Sequence, residues 1–273
     1  MNTRQTFSKV VIVGFMLSIL FFLIGANGYG VIQIDSIQKL QKIGKDAGYP
    51  LNGEYELTQD IDASDTINWN SGAGFAPIGN DTNRFTGVFD GKGHKIRNLY
   101  INRPSLNYVG LFGYVGSGGQ VKNVGLENVQ VLGSGYASGL VGYNVGTVVQ
   151  SYSTGSVEGV WIVGGLVGEN YGTVSESYST GSVAGNWCVG GLVGWNYGTV
   201  SESYSTGSVA SDDYVGGLVG DNYGGTVTKS YSTGSVAGTG YGVGGLVGSN
   251  GGTVMQSYST GSVAGTGYGV GGL

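Results

Sequence analysis

From about residue 139 onward the apolar positions come in short bursts, separated by glycine and by hydroxyl side chains. Val163-Gly-Gly-Leu-Val-Gly168, Gly172-Thr-Val174 and Ser177-Tyr-Ser-Thr-Gly-Ser-Val183 read as strands of a few residues broken by glycine. No run in this region carries the three-to-four spacing of an amphipathic helix. The bursts also repeat. Ser-Tyr-Ser-Thr-Gly-Ser-Val begins at Ser151, Ser177, Ser203, Ser230 and Ser257, at steps of 26, 26, 27 and 27 residues. Gly-Leu-Val-Gly keeps pace from Gly139, Gly165, Gly191, Gly217 and Gly245. A period of this size is one supersecondary unit stacked on copies of itself.

The Leu-x-x-Leu-x-Leu frame of a leucine-rich repeat is absent, and propeller blades need periods of roughly 40 to 50 residues. The pattern therefore predicts an all-β parallel β-helix, a β-solenoid. Each coil of about 26 residues would hold about three short strands and rise by roughly 4.8 Å. Val121-Lys-Asn-Val124-Gly-Leu126 stands where a repeat has Val174-Ser-Glu-Ser177-Tyr-Ser179. Val124 and Leu126 suit a core, so Ser177 and Ser179 share the inward face and Tyr178 points out.

Two columns follow from the period. Tyr152, Tyr178, Tyr204, Tyr231 and Tyr258 form an external aromatic column, either a stacking ladder that stiffens the rod or a platform for sugar rings or a protein partner. Asn144, Asn170, Asn196, Asn222 and Asn250 form the other. They are expected at tight corners in the left-handed conformation, with stacked amides bonding one another along the axis.

The first part of the chain reads differently. Arg4 and Lys9 precede an apolar run from Val10 to Ile24, then Gly25, Ala26 and Gly28. This is the order of a secretory signal cleaved after Gly28, and the run is shorter than the ~20 residues a spanning helix prefers. An uncleaved anchor is the other reading, and either one puts the repeats outside the cytoplasm. Asp35 or Ser36 can cap a helix from Ile37 to about Ala47, which would cover the first coil. Gly53 to Asp62, Phe75 to Gly79 and Phe85 to Ile101 alternate as strands.

Charge sharpens the division. Ten of the twelve Lys and Arg residues lie at or before Arg103, whereas the later region sets only Lys122 and Lys229 against eight carboxylates. An acidic rod without basic clusters is a poor binder of nucleic acid or anionic membrane. The single cysteine, Cys188, excludes a disulfide framework and falls where other coils carry Ile162 or Tyr214, so it reads as an apolar substitution.

The units Gly-Leu-Val-Gly-x-Asn, Gly-Thr-Val and Ser-Tyr-Ser-Thr-Gly-Ser-Val resemble the GLUG repeat. Phe89-Asp-Gly-Lys-Gly-His-Lys-Ile96 with Asn98-Leu-Tyr-Ile101 resembles the lead-in common in such secreted proteins. The resemblance runs from about Ile34 to the C-terminus. It implies a pectin-lyase-like β-helix, right-handed, on cell surfaces, in adhesin-like proteins or beside peptidase domains of immunoglobulin A-cleaving proteins. It transfers no catalytic residue.

Chemistry is sparse in the residues themselves. His94, the only histidine, sits in a turn, and no serine has the Gly-x-Ser-x-Gly setting of a nucleophile elbow. One histidine and one distant cysteine fall short of the three or four ligands that zinc needs. Asp60, Asp62 and Asp65 start like a calcium loop, but Asp65 stands where the loop needs glycine and Ser71 where it needs glutamate. Gly238 to Gly245 lacks the Gly-Lys-Ser/Thr ending of a phosphate loop. Glu176 and Glu202 share a column, Glu169 aligns with Trp195 and Asp221, and Asp90, Arg84, Lys95 and Arg97 are the only mixed-charge candidates for a polysaccharide-degrading site.

The sequence thus predicts a signal or anchor at 1–28, a cap and lead-in coils at 29–105, and repeats at 106–273. The repeats stop inside Val270-Gly-Gly-Leu273, so the chain reads as a fragment of something longer. The expected function is a non-catalytic, cofactor-free, secreted or surface scaffold facing glycan or protein partners. The alternatives are a polysaccharide-degrading β-helix enzyme and the non-catalytic arm of a larger secreted peptidase.

Overall fold

The computed structural model describes residues 30–272; the signal or anchor segment lies outside them. The chain is a parallel β-solenoid whose coils pair with the coil before and the coil after. Its first face is a nine-stranded sheet in chain order, from Ile32–Ile34 to Thr253–Met255. Tyr55, Phe89, Val121, Val148, Val174, Val200, Val227 and Val254 stack in one column of that sheet. Its second face has six strands, from Phe112–Val115 to Val247–Asn250. The third carries the Ser-Tyr-Ser segments and the valines of each Val-Gly-Gly. β-Branched residues suit such strands, and closing each coil onto the next satisfies the backbone groups that an open edge would expose.

The core changes along the axis. The early coils are filled by Phe75, Phe85, Phe89 and Phe112, all fully buried, with Phe85 and Phe112 packed at 4.9 Å and Phe89 against Phe112 at 5.3 Å. Later coils repeat Val, Leu, Ser and Asn without the phenylalanines, which gives a narrower interior. Ser177 and Ser179 point inward and Tyr178 outward, as the comparison with Val124 and Leu126 predicts. The two serine columns have different fates. Ser177 Oγ accepts from the Ser151 backbone N–H at 3.2 Å and donates to the Ser175 carbonyl at 2.7 Å. Ser179, Ser205 and Ser232 have buried hydroxyls without a partner. Their neighbours across the interior are glycines, and a Cβ on Gly165 would lie 2.2 Å from Ser179 Oγ. Burying a hydroxyl unpaired is unfavourable. Ser205→Ala is therefore expected to raise stability by about 1 kcal/mol, checked as an upward shift of the denaturation midpoint.

The first helix is shorter than expected. It spans Ile37–Lys42, with Ser36 as its cap and Ile37 and Leu40 buried. Ile43 is already extended at ψ 119°, and Gly44 turns the chain at φ 76°, so the helix stops well before Ala47. Left-handed backbone is also placed differently from the expectation. The Asn column does not adopt it. Gln150, Glu176, Glu202, Lys229 and Gln256 do, all at φ of 49–50°, where the chain turns from the first face into the third.

Candidate functional site

Three side-chain columns and one charged patch hold the polar and aromatic groups considered for a site. The Asn column is internal. Asn144 Nδ2 donates to Asn170 Oδ1 at 2.8 Å, Asn170 to Asn196 at 2.8 Å, Asn196 to Asn222 at 2.8 Å and Asn222 to Asn250 at 2.7 Å. The first four are fully buried. Each also donates to a carbonyl at its own corner, as Asn196 does to Gly198 O at 3.2 Å. An amide offers both a donor and an acceptor, so identical residues at every coil can chain along the axis.

The Tyr152 column is a continuous stack. Its rings are 4.7, 4.7, 5.0 and 5.3 Å apart from Tyr152 to Tyr258, within 8° of parallel. Neighbours cover the faces of each interior ring, leaving edges and hydroxyls toward solvent. A sugar laid along this ladder would meet ring edges rather than faces.

At the foot of the ladder, Tyr152 donates to Glu127 Oε1 at 2.9 Å. Glu127 in turn pairs with Lys95 at 2.7 Å and Arg97 at 2.9 Å. Arg97 reaches Asp60 at 2.9 Å. Lys95 first, with Arg97 and Tyr152, holds Glu127 down at about 2 against the opposing effect of burial. Asp60 is held below its usual range by the Lys95 backbone N–H and by Arg97 and His94. For Asp90 burial pulls the other way, yet Asn123, the Lys92 backbone N–H and the Lys92 and Lys122 ammonium groups keep it low. These are carboxylates stabilised as anions in ion pairs, whereas a general acid needs a raised pKa.

Asp60, Asp62 and Asp65 do not converge. Asp62 accepts from the Ser64 backbone and from Asn98, each at 3.0 Å, while Asp60 faces Arg97 and His94. Among the described residues no three His, Cys, Asp or Glu side chains group as a metal site. Cys188 is fully buried, and burial, with Asp221, Glu169 and Asp213 nearby, pushes its thiol up, away from nucleophilic use.

The third column escaped single-residue reading. On the second face Tyr114, Tyr143, Glu169, Trp195, Asp221 and Ser249 stand in register, one per coil. Beside it Tyr171 stacks on Tyr143 at 5.4 Å and on Tyr197 at 4.4 Å. Trp187 lies on another side, edge-on to Trp161, Trp195 and Tyr214 at 6.3, 5.8 and 5.8 Å. Glu169 is 3% exposed among these rings. Desolvation raises its carboxyl to about 7, although Tyr171 donates to it and opposes the shift. Asp221 is raised by the same cause and opposed by Ser249. The signal available beforehand was the register of Glu169 with Trp195 and Asp221, together with Tyr after the Asn of Gly-Leu-Val-Gly-x-Asn.

Comparison with known proteins gives these coils a family context. The model of the GLUG motif matches residues 159–184, 185–210 and 212–237. Halomucin of Haloquadratum walsbyi is 43% identical over 132 residues, 46% of this chain and 1% of its own length. A protein of Evansella cellulosilytica, named as a candidate Gly-rich membrane protein, is 37% identical over 97 residues, 34% of this chain and 11% of its own length. The chain thus spans a small fraction of either relative. The solved structure of a candidate immunoglobulin A1 protease from Bacteroides ovatus superposes with a TM-score of 0.63 over 90% of this chain and 84% of that one. At 18% identity that likeness shows the fold alone. The coils at 159–184, 185–210 and 212–237 thus match the GLUG motif, and they are carried on a parallel β-solenoid.

Proposed function

We propose that this chain is a non-catalytic scaffold or stalk of the cell surface or secreted space, adhesin-like, holding a distance and offering its flanks to glycan or protein partners. The observation that carries this reading is where the ionisable groups sit. The mixed-charge patch around Asp60, Asp90, Lys95, Arg97 and Glu127 is paired off in ion pairs that hold its acids as anions. The buried acids Glu169 and Asp221 stand in a column of aromatic rings with Trp195 between them. The surface setting draws support from relatives named as a mucin and a membrane protein. In this reading residues 29–105 form the cap and lead-in and 106–273 the stalk.

Incubation with a panel of neutral and acidic polysaccharides tests it. Neither the wild-type chain nor Asp90→Asn is expected to release reducing ends or unsaturated products. Turnover by the wild type that Asp90→Asn abolishes would overturn the scaffold reading in favour of a polysaccharide-degrading enzyme.

A further inference from the structure

The second flank has a defect in its otherwise regular columns. Trp195 and Asp221 stand opposite each other on adjacent strands. The Trp195 indole N–H is buried with no acceptor, and Asp221 Oδ1 is buried with no donor. Asp221 as a residue is only 9% exposed. Ser249 bonds the Asp221 carboxyl, but not at this oxygen. Leaving the two atoms unpaired is costly, and they are chemically complementary without bonding each other.

The surrounding rings depart from the ladder at the same place. Tyr171 and Tyr197 lie 8° from parallel, but Tyr223 is tilted by 59° from Tyr197 and meets Trp195 edge-on at 83°. The sequence supplies the cause. Earlier corners read Asn-Tyr-Gly-Thr at 170–173 and 196–199, whereas Asn222-Tyr-Gly-Gly-Thr226 has one more glycine. Gly224 takes up the extra residue at φ 80°, with open space where a Cβ would stand. Tyr223 is therefore freed from the stack and 59% exposed.

The geometry points to a saccharide-binding site at Trp195, Asp221 and Tyr223, in which one ligand hydroxyl accepts from the indole N–H and donates to the Asp221 carboxylate while Tyr223 swings aside to lie against the sugar ring. A hydroxyl is both donor and acceptor, so it answers both orphaned groups at once. An aromatic wall with a few convergent polar groups is the usual make-up of a small-ligand site. Trp187, edge-on to Trp195, extends the wall, and Glu169, in register on the other side of Trp195, adds a further carboxyl. With acids and no cation in this set, the site selects neutral sugars over uronic or sialic acids. The inference rests on the scaffold reading only in treating this flank as a binding surface.

Isothermal titration calorimetry with cellohexaose, mannohexaose, chitohexaose and hexagalacturonate tests it. At least one neutral hexasaccharide is expected to bind saturably, with hexagalacturonate weaker by about tenfold or more. Trp195→Phe keeps a ring and removes the N–H. Asp221→Ser copies Ser249, which fills the same column one coil on, so the strand accommodates it. Each is expected to weaken binding by about tenfold or more, while Tyr204→Ser on the other flank leaves it within about twofold. Absence of saturable binding by all three neutral sugars overturns the site. So does binding lost in Tyr204→Ser but kept in Trp195→Phe, which would move it to the tyrosine ladder and leave the scaffold reading standing. Release of reducing ends from a bound sugar would instead overturn the scaffold reading.

Discussion

Gly207→Ala is expected to destabilise the solenoid by about 3 kcal/mol, near the top of the range for overpacking a close-packed interior. A Cβ on Gly207 would lie 1.7 Å from the Gly181 carbonyl oxygen and 2.7 Å from its carbon. These are backbone atoms of the preceding coil, so no side-chain rotation relieves the clash. The same contact recurs one coil on, where a Cβ on Gly234 would lie 1.8 Å from Gly207 O. Relief would require the two coils to separate, and their spacing is fixed by the strand hydrogen bonds on three faces. Gly224→Ala makes the control. Its added Cβ meets nothing within 4 Å, and only its φ of 80° penalises the change, a cost of about 1 to 2 kcal/mol. Denaturation followed by circular dichroism should order the midpoints as wild type, Gly224→Ala, Gly207→Ala. Because stacked repeats can lose coils locally, protease susceptibility near residues 181–207 is the companion measurement. A Gly207→Ala midpoint at or above that of Gly224→Ala would mean that the coils are not held at contact distance there.

The difference between these glycines also shows how much the sequence could disclose. Period and strand alternation were enough for the coil and, once Val124 and Leu126 fixed the inward face, for the inward Ser177 and Ser179 and the outward Tyr178, because register and alternation depend on spacing. The register of Glu169 with Trp195 and Asp221 was legible for the same reason. Backbone conformation was not. Asn was the natural residue to place in left-handed backbone, but the turn falls at Glu176 and Glu202, whose side chains can reach solvent while the Asn amides are drawn inward to one another. The helix ended early because Gly44 lies inside a sequence whose apolar spacing continues past it. The orphaned pair at Trp195 and Asp221 depends on the three-dimensional neighbours of both groups, and nothing in the linear pattern marks either one as unpaired. What the linear pattern does contain is the extra glycine at Gly224, which gains meaning only once Tyr223 is seen to leave its stack.

Glu169→Gln is expected to stabilise the protein at alkaline pH and to change little at pH 4.5. The groups that sense Glu169 are Tyr108, Tyr136, Tyr143, Tyr171 and Tyr197, together with the Cys188 thiol. None is a cation, so burial is not offset by an opposite charge, and the carboxyl is raised from 4.5 to about 7. The sign follows from proton counting. Below the unfolded value, folded and unfolded chains both carry the proton and Glu169 exacts no penalty. Between 4.5 and about 7 the unfolded chain releases its proton while the folded chain keeps it, so stability falls as pH rises. Above the folded value the penalty is complete, about 3 kcal/mol at about 1.4 kcal/mol per pH unit. Glutamine keeps an oxygen to accept from Tyr171 but cannot ionise. The variant should therefore gain up to about 3 kcal/mol over the wild type at pH 8, with the advantage vanishing toward pH 4.5. Asp221 is raised in the same direction and contributes a similar slope to both proteins, so the difference between the two curves isolates Glu169. Urea denaturation midpoints taken at half-unit steps from pH 4.5 to 8 measure it. Parallel curves, separated by a constant offset, would show that Glu169 ionises in the folded chain as easily as in the unfolded one, and that the aromatic column admits water to its carboxylate.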